Sequence, residues 1–250
     1  MRIIINADDC GKSQIVNEHI EQAIQRGKIT STTVMANMDD FNGAVALFRK
    51  YSDKISFGWH INLTEGEPLL KNQRLLDYGY YVEQNGLVSF NGKKYWDKRL
   101  PRDIKEGIKN ELKAQYEKLR DAGIKISHAD SHQHIHTSKS MLGVIPCVLN
   151  ELNIFKVRCI RNYMPFSFNF LMRELWRFNF KSRVNNIVMT DYFISFKKYM
   201  DNPNLKSNGT IELMCHPGHE VDFYREEEKL LMSSDYSFGN PAQIINYYQL

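Results

Sequence analysis

Short apolar runs alternate along this chain with longer stretches in which apolar residues recur every three or four positions. The first run, residues 3–5 (three isoleucines), stops at Asn6-Ala7-Asp8-Asp9. Ser13 is placed to cap a helix carrying Ile15, Val16, Ile20 and Ile24 at near-helical spacing, with Gly27 as its stop. The pattern then predicts a strand over 32–36, a helix over 41–51 and a strand over 55–61. A long helix over 102–121 ends at Gly123 and leads into a strand over 124–127. Further strands are predicted at 155–159, 186–190 and 210–215. Seven strands alternating with helices favour a parallel α/β architecture, a barrel of β/α units first and a doubly wound open sheet second.

Two stretches break the rhythm. Residues 65–100 are rich in Gly, Asn, Tyr and Lys, and residues 162–183 in Phe, Asn and Arg. Both read as insertions or lids on one domain spanning 1–250, with plain surface decoration the alternative. Tyr80-Tyr81 in the first could meet a ligand or a second subunit, so a homodimer is a candidate assembly. No internal repeat or low-complexity tract is visible.

Composition narrows the class. With 42% hydrophobic and 25% charged residues in 250, the chain is no collagen, disulfide scaffold or disordered segment. A net charge of +4 is no polybasic footprint, so nucleic acid is not expected as a partner. Cys10, Cys147, Cys159 and Cys215 lack CxxC spacing, which argues against a disulfide framework or a cysteine zinc site. The apolar start is too short for a signal peptide, and no run approaches the ~20 residues of a membrane helix. A cytoplasmic protein without a membrane partner is the expectation.

The chemistry lies where predicted strands end. His128, His132, His134 and His136 fall within nine residues after the strand at 124–127. Imidazole is the commonest side-chain metal ligand, and Asp130 is close enough in sequence to orient a ring. In extended backbone His132, His134 and His136 would share a face; in helical backbone only His132 and His136 would. A solvated polar loop is the plain alternative. Asp8-Asp9 ends the first strand, where one carboxylate could ligate and the other act as base, its pKa raised by its neighbour. By itself such a pair is more often a helix cap. His60 and His216 end two further strands, and each alone would more often be structural.

Together these four strand ends describe one pole of a β/α barrel lined by carboxylates and imidazoles. Such donors suit Zn²⁺ or another first-row divalent ion better than Mg²⁺, and point to metal-assisted hydrolysis. There is no GxSxG elbow and no phosphate-cradling glycine loop.

Five blocks carry a family resemblance: Asn6-Ala7-Asp8-Asp9-Cys10-Gly11, Ile29-Thr30-Ser31-Thr32-Thr33, Gly58-Trp59-His60-Ile61-Asn62-Leu63-Thr64-Glu65-Gly66, Asp130-Ser131-His132-Gln133-His134-Ile135-His136 and Glu212-Leu213-Met214-Cys215-His216-Pro217-Gly218. In this order they resemble the YdjC-like carbohydrate deacetylases, which include chitooligosaccharide deacetylases. The resemblance implies a distorted β/α barrel related to polysaccharide deacetylases, and removal of an acetyl group from an N-acetylated sugar. It implies one divalent ion, Zn or Mg, held by Asp9, His60 and His132, with Asp8 as base and His216 as acid. Arg158 matches an arginine near the catalytic aspartate. His128, Asp130, His134 and His136 would stand behind the ligands or face substrate.

The chain departs from the family at Cys10, where phenylalanine is usual; cysteine there is expected to pack as a small apolar residue. The aromatic stretch through Phe166, Phe168, Phe170 and Phe178 is also its own, and is expected to serve as core or subunit contact rather than as a sugar platform. Another metallohydrolase chemistry, on phosphodiesters or cyclic amides, and a non-catalytic sugar-binding role are the competing readings.

Overall fold

The computed structural model describes residues 1–163, 168–201, 208–233, 238 and 242–250. Strand β1 (Arg2–Cys10) is followed by α1 (Gln14–Gln25), β2 (Ser31–Val34), α2 (Phe41–Tyr51) and β3 (Ser56–Ile61). Helix α3 (Gln73–Tyr78), the hairpin β4 (Tyr81–Gln84) and β5 (Leu87–Phe90), and α4 (Arg102–Asp121) come next. Then follow β6 (Ala129–Ser131), α5 (Ile145–Glu151), α6 (Phe168–Lys181), β7 (Tyr192–Ser195), α7 (Phe196–Asp201), β8 (Thr210–Cys215), α8 (Asp222–Met232) and β9 (Gln243–Ile244).

The main sheet runs β6-β3-β2-β1-β8-β7, all neighbours parallel, with β9 joining the start of β1. Beyond β6, single parallel bridges link Ala129 to Val157 and Lys156 to Val188. Val188 lies four residues before β7, at the other end of the sheet, so the chain wraps into a distorted barrel. β1 and β3 are buried on nearly every residue, as strands covered on both faces must be. α1 turns Val16, Ile20, Ala23 and Ile24 inward, and Ser13 Oγ accepts from Val16 N at its start. That is the helix and cap the apolar spacing predicts.

Three strand positions differ from the sequence reading. Residues 124–127 are not a strand; pairing with β3 begins at their end, where Ser127 N donates to Phe57 O, and the strand itself is Ala129–Ser131. The stretches 155–159 and 186–190 contribute only the single bridges, while the regular strand β7 starts at Tyr192. Ile124 is buried and Ile126 packs against the core, which gives them a strand-like alternation without a ladder. The stretch 65–100 is no loose loop: Tyr80 and Tyr81 are fully buried, so neither is offered to a ligand or a second subunit. In the aromatic stretch, Trp176 and Phe180 are the core residues, whereas Phe168 and Phe178 are exposed. Phe166 lies outside the described residues.

Candidate metal centre

In a regular strand Asp8 and Asp9 would point to opposite faces. β1 avoids this with a bulge: its residues Ala7 and Cys10 pair with Thr32 and Val34 of β2, three steps against two. Asp9 takes φ +68° there, a left-handed conformation costing on the order of 1–3 kcal/mol for a non-glycine residue. The bulge brings both carboxylates into the same mouth. Gly11 follows with φ +92°, its amide donating to Asn17 Oδ1, and a Cβ there would stand 3.0 Å from Met35 O. Cys10 turns away, buried with Sγ 3.4 Å from Asn17 Oδ1, and burial pushes its thiol up to about 12. It packs as a small apolar residue.

Asp9 is met by three rings. His60 Nε2 lies 3.0 Å and His132 Nδ1 2.8 Å from Oδ1, and His219 Nε2 3.1 Å from Oδ2. Burial alone would raise the Asp9 pKa, but His132 and the other rings hold it well below the usual carboxylate range. Behind His60, Asp130 Oδ1 sits 2.6 Å from Nδ1 and fixes Nε2 toward Asp9. Behind His132, Glu65 Oε2 sits 2.7 Å from Nε2, and Lys12 Nζ is 2.5 Å from Glu65 Oε1. Burial would lower the His60 pKa, but Asp130 and Asp9 raise it to about 10. Glu65 is drawn down to about 2 by its bond to His132, helped by Lys12.

Asp8 has a different partner. Arg158, with no exposed surface, gives Nη2 to Asp8 Oδ1 at 2.6 Å and Nη1 to Oδ2 at 2.7 Å. It also gives Nε to Glu212 Oε1 at 2.7 Å and lies 2.8 Å from Asp130 Oδ2. Asn6 Nδ2 donates a further bond to Asp8. Burial opposes ionisation of Asp8, and Arg158 overcomes it, so the carboxyl is held well below its ordinary value. The sequence expectation that one of the adjacent aspartates is raised is thereby corrected: each has its own cation or ring, and their mutual repulsion does not decide. His216 Nε2 stands 4.0 Å from Asp8 Oδ2; its ring packs tilted against Tyr224, centroids 4.2 Å apart, and its backbone N–H donates to buried Glu227.

Asp9, His60 and His132 each offer one atom, all within 4.8 Å of one another, as do Asp8, His60 and Asp130. The first set fits a metal ion better, because Asp8 and Asp130 already share the Arg158 guanidinium, which cannot lose its charge. Charge balance agrees. Asp8, Asp130 and Glu212 share one permanent cation, Arg158, whereas Asp9 meets only imidazoles, so a dication with neutral imidazole ligands would supply the positive charge that Asp9 lacks. Each ligand imidazole has a carboxylate behind it, the usual support of a metal-bound ring.

The remaining histidines of the cluster sit elsewhere. Gln133 and His134 have φ +53° and +58°, so the run after β6 is neither extended nor a regular helix, and its rings diverge. His128 is buried, stacked 3.5 Å above the Tyr247 ring, with Ser127 Oγ on Nδ1. Gly58 makes room for it, since a Cβ there would come within 2.4 Å of the His128 ring. His136 shares a hydrogen bond with Ser131 Oγ and packs against Trp176 and Phe180. His134 meets Phe193 edge-on and lies 3.4 Å from Arg161. Burial depresses all three, His136 to about 3. Sequence reasoning assigned no role to Glu65, Lys12, His219, Glu212 or Glu227. Glu65 and Glu212 lie inside the blocks that carry the family resemblance, and His219 follows His216 by three residues.

A curved parallel sheet whose strand ends gather carboxylates and imidazoles able to hold a metal ion defines a β/α-barrel protein with a candidate metal site. The chain belongs to the YdjC-like protein family, which it matches over residues 2–237. It is 33% identical to a carbohydrate deacetylase of Clostridium beijerinckii over 244 residues, 98% of this chain and 90% of that one. It is 27% identical to a carbohydrate deacetylase of Vibrio parahaemolyticus, covering 98% and 86% of the two chains. The fold is that of an Enterococcus faecalis V583 protein described as a candidate for cellobiose-phosphate cleavage, with TM-score 0.74 and 22% identity over 99% of this chain and 98% of the other. No helix among the described residues is long and apolar enough to cross a membrane.

Proposed function

We propose that this protein is a carbohydrate N-deacetylase, hydrolysing the acetamide of an N-acetylated amino sugar or short oligosaccharide with one divalent ion held by Asp9, His60 and His132. The observation that carries this reading is the paired placement of Asp9 against two supported imidazoles and of Asp8 against Arg158. The relatives' shared name, carbohydrate deacetylase, supports the substrate class. Two imidazoles and one carboxylate suit Zn²⁺ more than Mg²⁺. When bound, such an ion polarises a carbonyl oxygen and acidifies water.

The chain's own groups do the rest. Arg158 keeps Asp8 ionised and fixed in orientation, so Asp8 accepts the proton of the attacking water. His216, protonated, gives a proton to the departing amine nitrogen, releasing acetate and a free amino sugar. At 4.0 Å, Asp8 and His216 are close enough for the proton left on Asp8 to return to His216 through a small movement. Asp130 and Glu65 orient the ligand rings. A cytoplasmic location fits the four free thiols.

The test is acetate release from N-acetylglucosamine and its oligomers, by protein stripped of metal and then reloaded with Zn²⁺, Mn²⁺, Co²⁺ or Mg²⁺. Acetate that appears only after reloading supports the reading. Stoichiometric metal without acetate from any member would contradict it.

A further inference from the structure

Glu212 is a buried carboxylate that the proposed reaction does not use. It lies on β8 with no exposed surface, and Arg158 and Tyr247 take one of its oxygens each. Burial pushes its carboxyl up, and the guanidinium and the phenol hydroxyl work against that rise. Burying a third carboxylate around one guanidinium, after Asp8 and Asp130, is unfavourable in itself.

Tyr247 reaches Glu212 from the pole opposite the mouth. β9 pairs Gln243 and Ile244 with Arg2 and Ile3, so the stretch 243–250 meets the barrel where its strands begin. Tyr247 turns inward from there and is completely buried. Its amide donates to Ser56 Oγ at the start of β3, and its carbonyl accepts from Lys156 Nζ at 2.6 Å. Its ring stacks on His128. Backbone and ring are thus anchored without the hydroxyl, which donates to Glu212 Oε2. Burial and the facing carboxylate raise the phenol well above its ordinary pKa, so the proton stays on it.

We infer that Tyr247 is a positioning residue for Asp8: through Glu212 it sets the guanidinium of Arg158, and so the carboxylate that Arg158 holds at the mouth. The guanidinium is planar and rigid, and it presents two edges here. The Nη1–Nη2 edge holds Asp8 at 2.7 and 2.6 Å. The Nε–Nη2 edge holds Glu212 Oε1, both nitrogens at 2.7 Å. Fixing one edge fixes the other, so a Glu212 free to turn would let Asp8 swing. Phenylalanine would fill the same space and stack on His128 as well; only the hydroxyl reaches the carboxylate. The kinetic consequence rests on the deacetylase reading, which makes Asp8 the acceptor of the water proton. The mechanical link from Tyr247 to Arg158 does not.

Tyr247→Phe tests both. With one equivalent of metal bound, its kcat for acetate release is expected about tenfold below wild type, with KM unchanged within about twofold. Ser56→Ala loosens the Tyr247 backbone and leaves the hydroxyl, so it is expected to keep the wild-type kcat. Added to Glu212→Gln, Tyr247→Phe should lower kcat no further, because the link is already cut. The second readout needs no turnover. The Arg158 Nε–H resonance, assigned by through-bond correlation to its own backbone, should exchange with solvent about tenfold faster in Tyr247→Phe. A purely structural tyrosine would lower Tm in Tyr247→Phe and Ser56→Ala alike and leave kcat and Arg158 exchange at wild-type values. That result overturns the inference, as do additive losses with Glu212→Gln. A wild type that releases no acetate would remove the deacetylase reading, and Arg158 exchange alone would then decide the link to Tyr247.

Discussion

His60 and His132 face the mouth of the barrel, while His128 and His136 lie packed beneath it, and the two pairs have opposite fates. Each mouth ring lies between two carboxylates: Asp130 and Asp9 for His60, Glu65 and Asp9 for His132. Both are pushed toward the charged form against the effect of burial. Each packed ring has one hydroxyl partner and aromatic neighbours: Ser127 and Tyr247 for His128, Ser131, Trp176 and Phe180 for His136. Both are held neutral. Three of these four histidines come from one nine-residue run. Density of histidine in sequence therefore says little about which rings share the mouth; the carboxylates on each side of His60 and His132 set those two apart.

The contrast can be broken most sharply at the carboxylates. Asp8→Asn keeps the size of the side chain and removes the proton acceptor, so turnover is expected to fall by about 10²- to 10⁴-fold with metal content unchanged, read by acetate release and metal analysis. Glu65→Gln leaves His132 with a weaker partner. Metal affinity is expected to drop about 10- to 100-fold, measured by competition with a chromogenic chelator, and the half-exposed position should leave folding intact.

The smallest effect sharpens the contrast from the packed side. His136 has its pKa depressed to about 3, below the ordinary 6.5 of an unfolded histidine. The unfolded chain therefore binds the extra proton first. The stability that neutral His136 contributes is present above about pH 6.5 and is lost as pH falls toward 3, at about 1.4 kcal/mol per pH unit. Denaturant midpoints at pH 7, 6 and 5 should fall more steeply in the wild type than in His136→Gln, which lacks the titrating ring. Parallel slopes would remove His136 from the account.

Much of the candidate site was legible because chemistry-bearing residues cluster where strands end, and the apolar pattern marks those ends well. Asp8, Asp9, His60, His132 and His216 could be named that way. The bulge in β1 could not, since nothing in Asn6-Ala7-Asp8-Asp9 distinguishes two carboxylates on one face from two on opposite faces. β6 was displaced for a related reason. Its residues Ala129, Asp130 and Ser131 are selected for the site and for burial, so they carry no β-branched or aromatic signal, while Ile126 nearby does. Glu65 meets His132 and is itself held by Lys12 from a separate loop 53 residues away, a convergence that only the fold creates. Tyr80-Tyr81 misled in the other direction, as aromatic residues in a polar stretch that nonetheless form core.

The account stands on which histidines hold metal, so metal bound per chain after stripping and reloading tests it most directly. One equivalent is expected for the wild type and for His136→Gln, and none for His132→Ala. A full equivalent retained by His132→Ala, or lost from a folded His136→Gln, would contradict it.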